Sequence, residues 1–551
     1  MKTGKERLLI VVVLLTLLAQ LIFSLTKSRS YYTYEDVFGY LSKDFYIAIS
    51  FFILHVALLL LLYALVKIHR ENITLFPLIL SLIGLISIYI LPSISDAYYD
   101  QDFYDAGGHM IRGAYVTLTG HSDPQIDGYF DLQPGFFWAT SIFINIVYGS
   151  PNTLWDPIFS FLVKWFNAII LSIYLPILMF FFKRMRLDLT SSSLALFLFL
   201  SLNMGRFHYA AQNYGNALYW LLLILLLDYR EKTDHLILVL TAIVSTSIVV
   251  VHQGVAFFSL IAIISILMVN LIVISVSMRH LRRITYILFT FSIIWFMYLG
   301  YLSQWTLSDF VSVIHNVISR YLSEGALTVV SEGVYRPYDP WYKLVIFKSV
   351  YMLSLIALSI AILITMSRKE RDLINKSVLA VYSMTTLVIG VVASALGGAG
   401  YIERLVVMLL PITVTSIAKV LKSLNRNMGA SIALAMLTVL VLMGTLSYFS
   451  GRNFQSIPTS EDKAGAFLLT YSPNIEGLYL KRPVTNIFIP LLTNTTFMHG
   501  ALYSLYSHDY ILVLYYYVGD VNILNAYLSY VLRSHSIIYM SPTTTIIKHT
   551  G

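Results

Sequence analysis

The chain has 551 residues, 58% of them apolar and 12% charged, with a formal charge of +8 and no cysteine. Soluble domains carry about 25% charged residues, so a water-soluble enzyme is excluded. Absence of thiols excludes a disulfide framework, a cysteine nucleophile and a Cys-ligated metal.

Apolar runs recur along most of the chain at about 17–25 residues, the length a helix needs to cross a bilayer. So many of them predict an α-helical polytopic membrane protein. The N-terminus is basic up to Arg7 and leads into Leu8–Phe23. That run is longer than the core of a cleaved signal and lacks a small-x-small site, so a retained signal anchor is expected. Spans are expected next at 45–67 and 73–92. A long polar interruption follows, Asp96 to Phe137, with seven carboxylates (Asp96, Asp100, Asp102, Asp105, Asp123, Asp127, Asp131) against the single Arg112.

Two apolar segments come after it, the short Pro134–Gly149 and the full-length Pro157–Phe182. Loop charge decides which of them crosses. Lys and Arg gather in cytoplasmic loops. If Pro134–Gly149 lies at the outer interface, the clusters Lys183/Arg184/Arg186, Arg230/Lys232, Arg279/Arg282/Arg283, Arg368/Lys369/Arg371/Lys376 and Lys419/Lys422/Arg426 all fall on the inner side. They join Lys2, Lys5, Arg7, Lys67 and Arg70 there. A crossing at Pro134–Gly149 would invert every later loop. The +8 charge therefore reads as membrane topology and not as a nucleic-acid surface.

The remaining spans are expected near 190–204, 214–228, 235–251, 254–277, 284–303, 344–366, 377–397, 403–420 and 429–449, thirteen in all. The N-terminus is then cytoplasmic and the C-terminus extracytoplasmic, as in a multi-pass plasma-membrane protein. Residues 1–449 form the membrane domain, with 93–156 as its first large outer loop. Residues 450–551 mix alternating strands (TNIFIP, YILVLYYYV) with a helix-like start (SEDKAGAFLLTYS) and predict a small outer-face α/β domain.

A helix over Tyr99–Gly113 would place Asp102, Asp105, His109 and Arg112 on one face at spacings of three and four. It is either a solvated amphipathic helix or a helix that presents carboxylates to a substrate. Anionic lipid would have favoured Lys and Arg on such a helix. His252 and Gln253 interrupt an apolar run at an outer boundary, and Arg206, His208 and Gln212 cluster in another outer turn. Such residues either face a cavity or bond neighbouring helices.

The acidic stretch resembles that of the GT-C superfamily of polyprenyl-phosphate-dependent glycosyltransferases, which includes protein O-mannosyltransferases and aminoarabinose transferases. Asp100-Gln101-Asp102-Phe103-Tyr104, Gly108, Met110-Ile111 and Gly113 match the first-loop pattern in order and spacing. Tyr129 to Phe137 (YFDLQPGFF) is similar to the family's later aromatic and proline-containing turn. Gln101 stands where the family usually has Glu, and Gly135 replaces a second Pro.

The resemblance implies a sugar carried on polyprenyl phosphate and attack on its anomeric carbon by the hydroxyl of a glycan, protein or lipid acceptor. A positioned carboxylate takes the hydroxyl's proton, and Asp100, then Asp102, match that role. Tyr104, His109, Asp131 and Gln133 fall within the matching segments and are expected to bind substrate, with His252 and Gln253. The departing phosphate calls for cations, which Arg336 and Arg404 can supply with bidentate geometry. Otherwise Arg404 is an interfacial residue paired with Glu403, and Arg336 is loop structure beside Glu332. An Asp-x-Asp pair also admits Mg²⁺ or Mn²⁺ as cofactor. The alternative from another class is a transporter or flippase for a lipid-linked substrate.

Overall fold

The computed structural model describes residues 10–19, 104–122, 130, 133–151, 157–203, 209–227, 234–272, 278–302, 376–386, 399–423, 478–479, 510–514, 535–540 and 544–549, with isolated positions at 79, 82, 83, 86, 312, 315, 319 and 323. The labelled helices are α1 (Tyr104–Thr119), α2 (Pro134–Val147), α3 (Pro157–Arg184), α4 (Leu189–Leu202), α5 (Ala211–Leu226), α6 (Asp234–Val251), α7 (Gln253–Ile272), α8 (Met278–Met297) and α9 (Ala399–Ser423). A π-helical turn, Tyr298–Leu302, extends α8. Further helix is described at Ile10–Ala19 and at 376–386.

Among the described residues three helical stretches are long and apolar enough to cross a membrane, Phe161–Arg184, Gln253–Ile272 and Leu281–Gly300. The chain is a mostly helical membrane protein. The expected spans over 157–182, 190–204, 214–228, 235–251, 254–277, 284–303 and 403–420 each coincide with a described helix. The other expected spans lie wholly or partly outside the described residues.

α5 is the hub of the bundle, touching α3, α6, α7 and α9. Trp220 of α5 packs edge-on against Tyr174 of α3 and Phe199 of α4, at 4.7 and 5.4 Å between ring centroids. Its Nε1–H donates to the Met408 carbonyl of α9 at 3.0 Å. α4 is buried on nearly every side. Its small residues (TSSS) let α3 and α9 approach, as serine does between membrane helices. Asp188 caps its start by accepting from the Ser191 N–H at 2.7 Å.

One end of the bundle is closed by arginines. Arg184, ending α3, donates through Nε and Nη2 to the Leu227 carbonyl at 3.2 and 2.8 Å. Arg283, near the start of α8, donates to the Leu225 carbonyl at 3.1 Å. These carbonyls are among the last of α5, which the helix cannot satisfy itself. Two of the basic clusters expected in inner loops thus share one end of the bundle.

Four strands form a separate sheet: β1 (Leu478–Tyr479), β2 (Tyr510–Leu514), β3 (His535–Met540) and β4 (Thr544–His549), in the order β1-β2-β4-β3. β1 and β2 are parallel, while the β2–β4 and β3–β4 pairs are antiparallel, with an irregularity between Ile537 and Tyr539. β2 covers the first five residues of the expected YILVLYYYV strand, whose remainder lies outside the described residues. TNIFIP and the helix-like start of the tail lie outside the described residues.

Candidate functional site

The opposite end of the bundle collects most of the described polar candidates. α5 is 16 residues long, so its two ends stand roughly 24 Å apart at 1.5 Å per residue. Next to its start lie Tyr209, the helix pair α1–α2 and the α6–α7 junction at His252.

α1 follows directly on the acidic motif, but its bounds differ from the expected Tyr99–Gly113. It begins at Tyr104 and runs to Thr119. The stop is Gly120, whose φ of +74° is the left-handed conformation that ends helices. Its N–H donates to the Val116 carbonyl at 2.9 Å. Gly113, expected as the end, serves packing instead. A Cβ added there would meet Thr140 Cγ2 and Tyr209 Oη at 3.0 Å each. His109 and Arg112 are both buried, as are Met110 and Ala114. The middle of α1 is therefore packed, and a freely solvated polar face is ruled out for those positions. The His109 ring meets Phe136 edge-on at 5.8 Å and Phe137 at 6.1 Å.

α2 is the segment that loop charge assigns to the outer interface. Pro134 at its first turn suits a helix start, where an N–H would be unpaired anyway. One face (Phe136, Phe137, Thr140, Ser141, Ile144) is buried. Trp138, Ile142, Phe143, Ile146, Val147 and Tyr148 are exposed. The 14 residues of α2 make about 21 Å of helix, the same length as α4. Gly135 abuts α6, where an added Cβ would lie 2.7 Å from Val250 Cγ2 and 3.1 Å from the Val250 carbonyl. The glycine that departs from the family pattern is needed for this approach.

Just before α2 stands Gln133. Its backbone carbonyl accepts from the Phe136 N–H at 3.2 Å, and its side chain makes no capping bond. Gln133 Oε1 is buried with no hydrogen-bond partner among the described residues. A buried acceptor left this way costs about 1–3 kcal/mol.

His252 is the one residue between α6 and α7. The Val255 N–H donates to its Nδ1 at 3.2 Å, so the ring caps α7 and, when neutral, carries its proton on Nε2. Gln253 donates from Nε2 to the Val249 carbonyl at 2.7 Å and accepts from the Trp295 Nε1–H at 2.9 Å. It clamps α6 to α8.

Asp100, Asp102, Asp131 and Arg336 lie outside the described residues. Tyr104 and Arg404 are placed by backbone alone, at the start of α1 and in the first turns of α9. Arg206 and His208 also lie outside the described residues. Sequence reasoning missed Tyr209, which is 1% exposed. It shares a 2.6 Å hydrogen bond with Thr140 and stacks at 4.9 Å on Phe136 and 5.3 Å on Phe166. Burial pushes its phenol above the ordinary tyrosine range, partly offset by the bond with Thr140. The available signal was an aromatic residue flanked by the polar cluster of the 203–210 turn.

No family model matches the chain, and no curated protein matches it in sequence. Among solved structures it is similar to the Archaeoglobus fulgidus oligosaccharyltransferase in the apo form, at 10% identity and a TM-score of 0.48, covering 79% of this chain and 69% of that one. It is also similar to ArnT from Cupriavidus metallidurans in the apo state, at 10% identity and a TM-score of 0.48, covering 85% and 97%. The same ArnT bound to undecaprenyl phosphate gives a TM-score of 0.45 at the same identity and coverage. With identity this low, the chemistry of this chain rests on its own residues.

Proposed function

We propose that the chain is an integral membrane glycosyltransferase of GT-C type. It moves a sugar from a polyprenyl-phosphate donor to a hydroxyl acceptor at the extracytoplasmic face of the plasma membrane. The observation that carries the reading is a juxtaposition. The helix that continues the acidic motif and the helix that continues the YFDLQPGFF motif pack on each other at the bundle end opposite the arginine-capped one. Two segments matched separately in sequence thus converge, beside a buried Gln133 oxygen that has no partner among the described residues.

In the proposed reaction the acceptor hydroxyl attacks the anomeric carbon and the bond to the donor phosphate breaks. Phosphate leaves readily and needs little acid assistance. Asp100, with Asp102 second, takes the hydroxyl proton as the new bond forms. Arg404 and Arg336 balance the charge of the released polyprenyl phosphate. Gln133, with Tyr104, His109 and Asp131, holds the sugar or acceptor by hydrogen bonds and ring contact. His252 and Gln253 hold the helices behind that surface.

An Asp-x-Asp pair is also of a kind that takes Mg²⁺ or Mn²⁺. Proton removal is assigned to the two aspartates themselves, with the cation as an additional occupant of the same pair. A transporter of the rival class would show helices broken near the membrane midplane. Among the described residues, α3 and α9 instead run through Pro176 and Pro411 as single helices.

Purified protein in nanodiscs, supplied with a panel of radiolabelled polyprenyl-phosphate sugars and acceptor extract, tests the reading. Asp100→Asn is expected to lower transfer by about a hundredfold or more. Unimpaired transfer by the Asp100→Asn/Asp102→Asn double variant would defeat the assignment. For sidedness, the cysteine-free chain is a ready background. Ser122→Cys is expected to react with an impermeant thiol reagent in intact cells, and Ser367→Cys to be protected.

A further inference from the structure

We propose that Tyr209 is a positioning residue: its hydrogen bond with Thr140, in the notch left by Gly113, sets α1 against the bundle. The functional consequence rests on the glycosyltransferase reading, whereas the latch itself does not.

A buried tyrosine could serve by its ring alone, and here the ring does pack on α2 through Phe136 and on α3 through Phe166. Phenylalanine would do as much. The hydroxyl is the informative part, because burying one without a partner is costly. It meets Thr140 Oγ1 across 69 positions of sequence. It also lies 3.0 Å from where any Cβ at position 113 would stand, so α1 comes this close only because Gly113 has no side chain. Thr140 Cγ2 fills the other side of the same notch. One hydroxyl pair thus joins the turn before α5 to α2 at the place where α1 touches both. α1 otherwise packs mainly on α2 and more lightly on α3. Its seating therefore follows α2, which Tyr209 and the Gly135–Val250 approach fix to the bundle. Asp100 and Asp102 precede α1 by four and two residues. A tilt of α1 would carry both away from the acceptor.

The test measures spin-label distances in nanodiscs between Thr119→Cys, at the exposed end of α1, and Leu189→Cys, exposed at the start of α4. These pairs are read with the parent residues, with Tyr209→Phe, with the near-isosteric Thr140→Val, and with both. The parent is expected to give one narrow distribution. Each single variant should broaden it in the same way, and the double variant no further than either. On a polyprenyl-phosphate sugar that the parent turns over, each variant should lower kcat about tenfold, the effect of one lost buried hydrogen bond, with the donor KM unchanged. A lowered unfolding midpoint with an unchanged distance distribution would reduce Tyr209 to a packing residue and overturn the proposal. So would broadening by only one of the two single variants. Broadening by both, in a protein whose parent transfers no sugar, would uphold the latch and count against the transferase reading alone.

Discussion

The two ends of the helical bundle are built from different chemistry. At one, Arg184 and Arg283 donate charged hydrogen bonds to the Leu227 and Leu225 carbonyls, filling acceptors that α5 leaves open. The other is held by a tyrosine–threonine bond, rings packed around Phe136, and two glycines that let helices touch, with Arg112 buried in α1. The first end ties down the α5 terminus, although Asn270 Oδ1 near the end of α7 is also buried without a described partner. The second leaves Gln133 Oε1 buried without a described partner, next to the helix that follows Asp100 and Asp102. Uncompensated polar groups are expensive, so they persist mainly where a ligand completes them. On the proposed function, the first end holds the fold and the second takes the substrate.

That separation can be broken by substitution. Gly135→Ala should have the largest effect on the site end, because its Cβ would meet Val250 backbone atoms at 3.1 Å as well as the side chain. Overpacking costs about 1–3 kcal/mol, against a gain of at most about 1 kcal/mol from replacing glycine in a helix. Thermal unfolding in nanodiscs should show a net loss, and transfer should fall as α2 shifts. Arg283→Met should cost about 1.5–3 kcal/mol through the lost bond to Leu225. The protein that stays folded should transfer sugar at the parent rate, measured per folded molecule. Gln133→Leu should alter stability least, leaving it unchanged or raising it by up to about 1 kcal/mol as a buried acceptor with no partner among the described residues is removed. Donor or acceptor KM should nevertheless rise about tenfold. A gain in stability with a loss of binding is the signature of a residue kept for its ligand.

The sequence carried the local parts of this picture and missed the long-range ones. Loop charge assigned α2 to the interface from short stretches of chain alone, and the structure shows the segment as a helix. The helix was expected to end at Gly113, whereas Gly120 supplies the stop and Gly113 serves packing, since a glycine alone does not tell whether it bends the chain or admits a neighbour. His252 and Gln253 stood out as polar breaks in an apolar run. Their partners were not readable: Val255 needs the α7 backbone in place, and Trp295 is 42 positions away. Tyr209 and Thr140 escaped for the same reason. Neither is unusual in its own segment, and only the packed helices bring the two hydroxyls together.

The central claim is that the α1–α2 end, and not the arginine-closed end, takes the lipid-linked donor. A photoactivatable polyprenyl phosphate, cross-linked in nanodiscs and mapped by mass spectrometry, addresses this directly. Adducts concentrated in residues 104–147, lost on competition with unlabelled polyprenyl phosphate, are the predicted result. Competed adducts around Arg184, Leu227 and Arg283, with none in α1 or α2, would contradict it.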